Sequence, residues 1–295
     1  MRVTRRRFMA VGAAALGAAG LGTAGYARFW EPRRLRVEHA MARIRGIRPG
    51  RPIRILQLSD PHWSGVVPLA FIEEAVTRGL ALEPDLVLLT GDFITAGFEA
   101  ELREYVPVLA RAAAAAPTYA VVGNHDGGPM AEVWGGFPDP HEVMRMLDSA
   151  GARVLADASA PVDIRGARVT LVGTTDYLSE RIDTERAFAG VDPAGSEPVV
   201  VLAHNPDTKD LIGHHRWDLM VSGHTHGGQV VLPLLGGRFA PVRDHRYLAG
   251  LEPWSGHLVQ VSRGIGNLYG IRFNCPPEIN LIELHGPDVA QPVPK

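Results

Sequence analysis

Five short polar clusters along the chain place aspartate, asparagine or histidine directly after an apolar run. In chain order they are Asp60-Pro61-His62, Gly91-Asp92, Gly123-Asn124-His125-Asp126, Ala203-His204-Asn205 and Gly223-His224-Thr225-His226. Carboxylate, amide and imidazole groups without a thiolate suit borderline or hard divalent ions such as zinc, manganese or iron. Alternate side chains of an extended segment point to the same side, so each Asp-x-His or His-x-His pair can reach one site. The clusters therefore predict a metal centre.

The elements that must position these clusters are short runs rich in valine, isoleucine and leucine. The five runs, which we predict to be buried strands, are 53–58, 85–89, 118–122, 198–202 and 217–221. Apolar stripes with helical spacing, at Leu69, Ile72, Val76, Leu80 and at Leu102, Val106, Leu109, Ala113, separate the first three runs. Ligands of such α/β sheets gather at the carboxyl ends of the strands, where all five clusters lie. We therefore expect the clusters to converge, with sharp backbone turns at the glycines that precede Asp92, Asn124 and His224.

Each cluster alone has an ordinary structural interpretation. A single Asp-x-His or Gly-Asp is common at a polar strand end or a turn, and His204 alone is more typical of a hydrogen-bonded core histidine. All five clusters in this order, each after a strand, are hard to obtain by chance.

The bulk composition indicates a folded chain with two oppositely charged parts. The chain has 295 residues, 46% of them hydrophobic and 21% charged, which suits one large domain with a sizeable core. Residues 1–54 contain 13 arginines and two acids (+11), which leaves 17 basic and 30 acidic residues (−13) in 55–295. An acidic body is not expected to bind nucleic acid specifically. The single cysteine, Cys275, excludes an internal disulfide.

The N-terminus has the organisation of an export signal. Thr4-Arg5-Arg6-Arg7-Phe8 precedes the uncharged run 9–27, and the paired arginines resemble a twin-arginine signal. We predict that 1–27 is such a signal or an N-terminal anchor, the twin-arginine export machinery being the partner; a transmembrane helix is the alternative. The expected location is periplasmic, in the cell envelope or on the outer face of the cytoplasmic membrane. Cleavage at Ala24 or Ala27 stays open. The segment 28–52 is either a basic linker or a membrane-proximal strip on an anionic surface.

The five clusters and their order resemble the calcineurin-like metallophosphoesterase superfamily, whose motifs are Asp-x-His, Gly-Asp, Gly-Asn-His-Asp/Glu, His and Gly-His-x-His. The stretches 203–207, 217–220, 223–229, 247–251 and 263–275 also resemble the YaeI- and YkuE-like group of bacterial phosphodiesterases. The resemblance covers essentially the whole chain. It implies an α/β fold, a four-layer αββα sandwich of two mixed β-sheets flanked by helices, in a domain at 53–286 with a tail at 287–295.

The resemblance also implies a role for each site residue, with two divalent ions (manganese, zinc or iron) per chain. One ion is assigned to Asp60, His62 and His226, the second to Asn124, His204 and His224, and Asp92 bridges both. His125 is implied to be the acid above the phosphoryl group, and Asp126 to fix its tautomer through the other ring nitrogen.

The chemistry of two ions agrees with this assignment. Two ions can clamp a bridging hydroxide and the phosphoryl oxygens, and metal-bound water titrates near neutral pH. Two ions (+4), Asp60 and Asp92 (−2) and hydroxide (−1) leave about +1, which matches a phosphodiester. A phosphomonoester dianion needs another cation, which Arg263 could supply.

We therefore predict hydrolysis of a phosphodiester or pyrophosphate bond, in a small molecule or lipid, with an envelope or nucleotide-linked lipid substrate. A phosphomonoesterase and a non-catalytic metal-binding scaffold are the alternatives. The stretch after Gly91-Asp92 lacks the arginine of the protein phosphatases, and Asp126 replaces their glutamate, which disfavours a phosphoprotein substrate. Specificity is expected to reside in the loops 127–140 and 233–247.

Overall fold

The computed structural model describes residue 9 and residues 17–96, 99–179, 181–238 and 240–287. The paired arginines of the predicted export signal and nearly all of the predicted tail lie outside these residues.

Twelve strands form two six-stranded mixed sheets within the described residues. The first sheet has the order β1-β12-β2-β3-β4-β5 and the second has the order β10-β11-β9-β8-β7-β6. The strands are β1 Arg36–Arg43, β2 Ile53–Leu58, β3 Leu86–Thr90, β4 Thr118–Val121, β5 Arg153–Val154, β6 Ala158–Ile164, β7 Ala167–Gly173, β8 Val199–Leu202, β9 Leu219–Ser222, β10 Gly250–Trp254, β11 His257–Val261 and β12 Glu278–His285. The strands β2 to β5 are parallel, as are β7, β8, β9 and β11, so their carboxyl ends share one edge of each sheet.

The helices lie mainly on the outer faces of the sheets. They are α1 (17–25), α2 Leu69–Leu80, α3 Glu99–Ala115, α4 Pro129–Val133, α5 His141–Ser149, α6 Thr184–Phe188 and α7 Lys209–Ile212, with a π-helical turn at Tyr26–Trp30. Short 3₁₀ turns cover Glu31–Arg33, Pro206–Thr208, His226–Gly228 and His245–Tyr247. No helix among the described residues is long and apolar enough to cross a membrane.

Three apolar cores separate four layers. Alternate residues of β2 and β3, such as Ile55 and Leu88, pack between the sheets against Val200 and Val221 of the second sheet. Their neighbours, such as Leu56, face the other way and pack under α2, α3 and α5. The outer face of the second sheet is covered by α6, α7 and the side chains around them. This is the αββα sandwich predicted from the sequence, and the prediction is confirmed.

The five predicted strands are present as β2, β3, β4, β8 and β9, each within two residues of its predicted bounds. The stripe at Leu69, Ile72, Val76 and Leu80 forms α2, and the second stripe lies in α3. These predictions hold because buried parallel strands and amphipathic helices produce the strongest apolar patterns in a sequence.

The structure corrects the interpretation of 28–52 as a linker. Within it, β1 pairs in parallel with β12 along its whole length, from Arg36 opposite Glu278 to Arg43 opposite His285. Ala42, Ile44 and Ile47 are buried in the core between the sheets. The sheet therefore begins before residue 53. The arginines that dominate this segment conceal the strand, because β1 is an edge strand and its exposed positions can be charged.

Candidate metal centre

All seven predicted metal ligands lie together where the strand ends of the two sheets meet. Asp60, His62, Asp92 and Asn124 follow β2, β3 and β4 of the first sheet, and His204, His224 and His226 follow β8 and β9 of the second. Every one of these side chains belongs to a residue that is at most 5% exposed. The seven residues form two groups of potential ligand atoms that share Asp92.

The first group contains Asp60, His62, Asp92 and His226. The Nε2 atoms of His62 and His226 lie 3.0 Å apart, and Nε2 of His62 lies 3.3 Å from Oδ2 of Asp92. Oδ1 of Asp60 lies 3.7 Å from Nε2 of His226.

The second group contains Asp92, Asn124, His204 and His224. Nε2 of His204 lies 3.2 Å from Oδ2 of Asp92, 3.2 Å from Oδ1 of Asn124 and 3.3 Å from Nδ1 of His224. The same oxygen of Asp92 thus faces His62 in one group and His204 in the other, as a bridging ligand requires.

The hydrogen bonds that His204 and His224 make on the side of each ring away from Asp92 show whether the second group can hold a cation. Nδ1 of His204 lies 2.8 Å from the carbonyl of Thr90, and Nε2 of His224 lies 3.1 Å from the carbonyl of Pro241. A carbonyl only accepts, so each of these nitrogens carries the proton of the neutral ring. In the neutral rings, which metal binding requires, Nε2 of His204 and Nδ1 of His224 present lone pairs to each other, to Asp92 and to the Asn124 oxygen. Four acceptors at this spacing need a cation between them, so the group fits a divalent ion.

The backbone at the ligands occupies a costly conformation. Asp60, His62, Asp92, His224 and His226 all have positive φ, between 48° and 68°. This left-handed region costs an ordinary residue of order 1–3 kcal/mol, and it persists only where the surrounding structure enforces it. Five such residues at one centre indicate that the fold holds the ligands in place before any ion binds.

The glycines before the ligands serve two different purposes. Gly91 has φ of 87°, and it makes the sharp turn that the sequence predicted. A Cβ on Gly123 would overlap Oδ1 of Asp92 and would lie 2.7 Å from its backbone nitrogen. Gly123 is therefore required because Asp92 approaches its backbone closely, and not for a turn.

The structure corrects the role predicted for Asp126. Its carboxylate accepts hydrogen bonds from the backbone amides of Asp92 (2.8 Å), Phe93 (2.7 Å), Ile94 (3.4 Å) and Gly123 (2.8 Å). Asp126 therefore ties the loop after β3 to the loop after β4, and it positions Asp92. The ring of His125 instead places Nδ1 3.2 Å from the carbonyl of Thr95.

Thr95 and Arg272 are functional residues that the sequence did not reveal. The carbonyl of Thr95 orients His125, and its hydroxyl lies 3.1 Å from Nδ1 of His62. Arg272 is fully buried, and its guanidinium donates to the carbonyls of Arg263, Gly264, Gly266 and Cys275. The same guanidinium lies 3.4 Å from Nδ1 of His226. A threonine three residues after Gly91-Asp92 is a weak signal, and the only sequence signal for Arg272 is its place in the stretch 263–275 that resembles the YaeI- and YkuE-like group.

A cavity of about 480 Å³ opens directly over the centre. Its floor contains Asp92, Asn124, His125, His224 and His226, and its walls include Met130, Trp134, Leu178, Val230, Leu268 and Tyr269. Met130 and Trp134 come from the loop 127–140, and Ala240 and Pro241 come from the loop 233–247, so both loops contribute to the lining. The walls are mainly apolar, so the cavity suits a ligand with a phosphate group and an apolar portion.

Arg263, which could supply the additional cation for a phosphomonoester, does not line this cavity. It pairs instead with the buried carboxylate of Glu278. Within the described residues, the lining contains no lysine or arginine.

Comparison with known proteins agrees with this geometry. The family model of the calcineurin-like phosphoesterases matches residues 53–228. The phosphodiesterase YaeI of Escherichia coli (strain K12) is 37% identical over 286 residues, which cover 96% of this chain and 99% of YaeI. The UDP-2,3-diacylglucosamine pyrophosphatase LpxG of Chlamydia trachomatis (serovar D) is 26% identical, covering 78% of this chain and 83% of LpxG. The uncharacterized metallophosphoesterase YkuE of Bacillus subtilis (strain 168) is 28% identical, covering 96% and 98%.

Proposed function

This chain belongs to the calcineurin-like phosphoesterase family and is a metal-dependent phosphoesterase; from that premise we propose that it hydrolyses a phosphodiester or pyrophosphate bond with two divalent ions. The observation that carries the proposal is the set of ligand lone pairs that converge on Asp92, with one carboxylate oxygen facing both groups.

The ligand sets follow from the two groups. Asp60, His62 and His226 would hold one ion, Asn124, His204 and His224 would hold the other, and Asp92, which belongs to both groups, would contribute to each. When bound, the two ions supply a water nucleophile at neutral pH and neutralise charge on the phosphoryl oxygens. The protein contributes ligands fixed in place, because the carbonyls of Thr90 and Pro241 orient His204 and His224.

His125 is the residue positioned to handle a proton. Nδ1–H of His125 donates a hydrogen bond to the carbonyl of Thr95, which leaves Nε2 as the ring nitrogen available to a ligand in the cavity. Burial lowers the pKa of His125 below its ordinary value, so the ring is neutral at pH 7 until an anionic phosphate lies beside it. We propose that His125 then holds a proton at Nε2 and gives it to the leaving oxygen.

The charge of the cavity favours a diester over a monoester. Two ions and the carboxylates of Asp60 and Asp92 leave a small positive charge, and the described lining adds no basic side chain. A singly charged phosphodiester is matched by that charge, whereas a monoester dianion lacks a second partner.

The substrate class follows from the apolar walls. Trp134, Leu178 and Tyr269 offer an apolar surface next to the ligands, which fits an acyl chain or the face of a nucleobase. LpxG, by its name, acts on a nucleotide-linked diacyl sugar. We propose a nucleotide-linked or lipid-linked diphosphate, or a lipid phosphodiester, as the substrate.

We also propose where in the cell the enzyme acts. The Arg5-Arg6-Arg7 start and the uncharged run after it support export by a twin-arginine route, with activity in the periplasm or cell envelope.

The test compares rates on four compounds with the manganese- or zinc-loaded protein. These are a chromogenic diester, its monoester, a nucleoside diphosphate-linked diacyl sugar and the same sugar without acyl chains. We expect the diester to exceed the monoester at least tenfold, and the acylated sugar to exceed the deacylated one. A faster monoester would establish a phosphomonoesterase, and no turnover with two ions bound would establish a scaffold.

A further inference from the structure

Exposed apolar side chains surround the mouth of the cavity. Tyr269 is 64% exposed, and Met130, Trp134 and Leu178, which line the cavity with it, are partly open to solvent; Val133, which directly precedes Trp134 in the chain, is 78% exposed. The rings of Trp134 and Tyr269 lie 5.6 Å apart. We call these five residues the mouth rim. Soluble proteins seldom cluster exposed aromatic and aliphatic side chains, and such a cluster marks an interaction surface.

The start of the described fold lies beside this rim. The N-terminal segment, residues 17–34, contacts the chain that immediately follows Tyr269. Arg28 donates to the carbonyl of Gly270 (3.2 Å), and the amide of Arg272 donates to the carbonyl of Ala27 (3.0 Å). The amide of Cys275 donates to the buried carboxylate of Glu31 (2.5 Å). These contacts hold the N-terminal segment next to the cavity, although nothing in the sequence requires the two to meet.

The N-terminal segment carries the same kind of surface. Phe29 is 61% exposed and Trp30 is 64% exposed, and Leu21 of α1 is exposed as well. Arg33 and Arg34 are exposed on the following turn. The part of the N-terminal segment that contacts Gly270, the neighbour of Tyr269, therefore carries exposed aromatic residues flanked by arginines.

We propose that the mouth rim and the N-terminal segment together form one docking surface for an anionic lipid bilayer, so that the cavity opens toward the headgroups. Aromatic side chains concentrate at the interface between a bilayer and water, and nearby arginines bind anionic headgroups. The charge of the N-terminal segment supports this occupant, because Arg28, Arg33 and Arg34 flank Phe29 and Trp30, whereas residues 55–295 carry −13 and would be repelled by an anionic surface. The docking surface depends on the proposed function in one respect only: it would bring the cavity to the bilayer, which helps catalysis if the substrate is acylated.

The positions of the tryptophans allow a direct test of whether the docking surface contacts a bilayer. The chain has five tryptophans; Trp30 and Trp134 belong to the surface, whereas Trp254 stacks on Trp217 against the second sheet. The full-length protein is mixed with vesicles of phosphatidylglycerol and phosphatidylcholine that carry brominated acyl chains, and quenching of tryptophan fluorescence is measured. We expect quenching with these vesicles, reduced by about half in each of Trp30→Phe and Trp134→Phe and unchanged in the control Trp254→Phe.

The outcomes separate docking from simple anchoring. Flotation with the vesicles without quenching would mean that the N-terminus anchors the protein while the mouth points away, and it would overturn the proposal. Equal quenching by pure phosphatidylcholine vesicles would also overturn it. A dimer that becomes monomeric in Phe29→Ser/Trp30→Ser would assign the surface to self-association instead.

The affinity for the vesicles and the rate of hydrolysis are measured as well. The variant Phe29→Ser/Trp30→Ser is expected to bind the anionic vesicles at least tenfold more weakly. Met41→Ser is the matched control, because Met41 is exposed on β1 and pairs with Glu283 at the sheet end away from the centre. Hydrolysis of a soluble chromogenic diester is followed in every sample. Hydrolysis without quenching overturns the docking surface alone, whereas quenching without hydrolysis overturns the proposed function alone.

Discussion

Replacing Asp126 with asparagine removes one of the two oxygens that connect the loops after β3 and β4. In the protein, Oδ2 accepts from the amides of Asp92 and Gly123 at 2.8 Å, and Oδ1 accepts from Phe93 at 2.7 Å. Asparagine keeps one oxygen, so its NH₂ group must face a pair of buried amides that also donate. Each buried donor without an acceptor costs about 1–3 kcal/mol, and part of this is offset because a buried charge is removed. We expect the free energy of unfolding to fall by about 3 kcal/mol.

Urea unfolding measures this loss, and the midpoint should fall by about 1 M for a slope near 3 kcal/mol per M. Burial raises the pKa of Asp126 to about 8, so the comparison is made near pH 9, where the carboxyl is ionised. Asp163→Asn, at an exposed position of β6, is the control and should change stability by less than about 0.5 kcal/mol.

The same substitution distinguishes the two roles considered for Asp126. Because its carboxylate holds the amide of Asp92, metal affinity should fall about tenfold or more. If Asp126→Asn keeps its stability and its metals but shifts the pH profile of hydrolysis, Asp126 acts through His125, and the role inferred from the structure is wrong.

Two substitutions and the pH dependence of metal binding give three further predictions about the metal centre. Gly123→Ala places a Cβ against Asp92, so at least one ion should be lost, as metal analysis of the purified variant would show; two ions retained would refute the close approach. Arg272→Met removes the guanidinium that binds four carbonyls near His226, so we expect thermal unfolding several degrees lower and weaker metal binding; an unchanged transition would contradict its structural role. Burial lowers the pKa of His204, but the Asp92 carboxylate raises it by more, to well above the ordinary value. A proton must therefore leave His204 before an ion binds, so metal affinity measured by calorimetry should rise with pH, and a flat profile would refute this coupling.

The sequence predicted those parts of the fold and the centre that depend on local patterns. Asp92 and His224 follow buried strands, and parallel topology brings their positions to one edge, so the convergence of the ligands needed no knowledge of loops. The roles of Asp126 and Thr95 depend on which carbonyls and amides the loops present, and backbone groups leave no signal in the sequence. The strand β1 was missed for a related reason, because its partner β12 lies more than 200 residues away.

The N-terminal segment shows the same limit. Its basic composition suggested a surface role, but its contacts with Gly270 and Cys275 depend on tertiary structure. Charge in a sequence indicates what a segment can bind, whereas its position relative to the cavity requires the fold.

The most direct test of the central claim is hydrolysis of a chromogenic phosphodiester by metal-stripped protein refilled with manganese or zinc, with bound metal counted in the same samples. Asp92→Asn and His125→Ala are measured beside the unmodified protein. We predict no activity without metal, full activity at two ions per chain, loss of metal and activity in Asp92→Asn, and loss of activity with both ions retained in His125→Ala. Full activity with one ion, or in the stripped protein, would contradict the dinuclear mechanism.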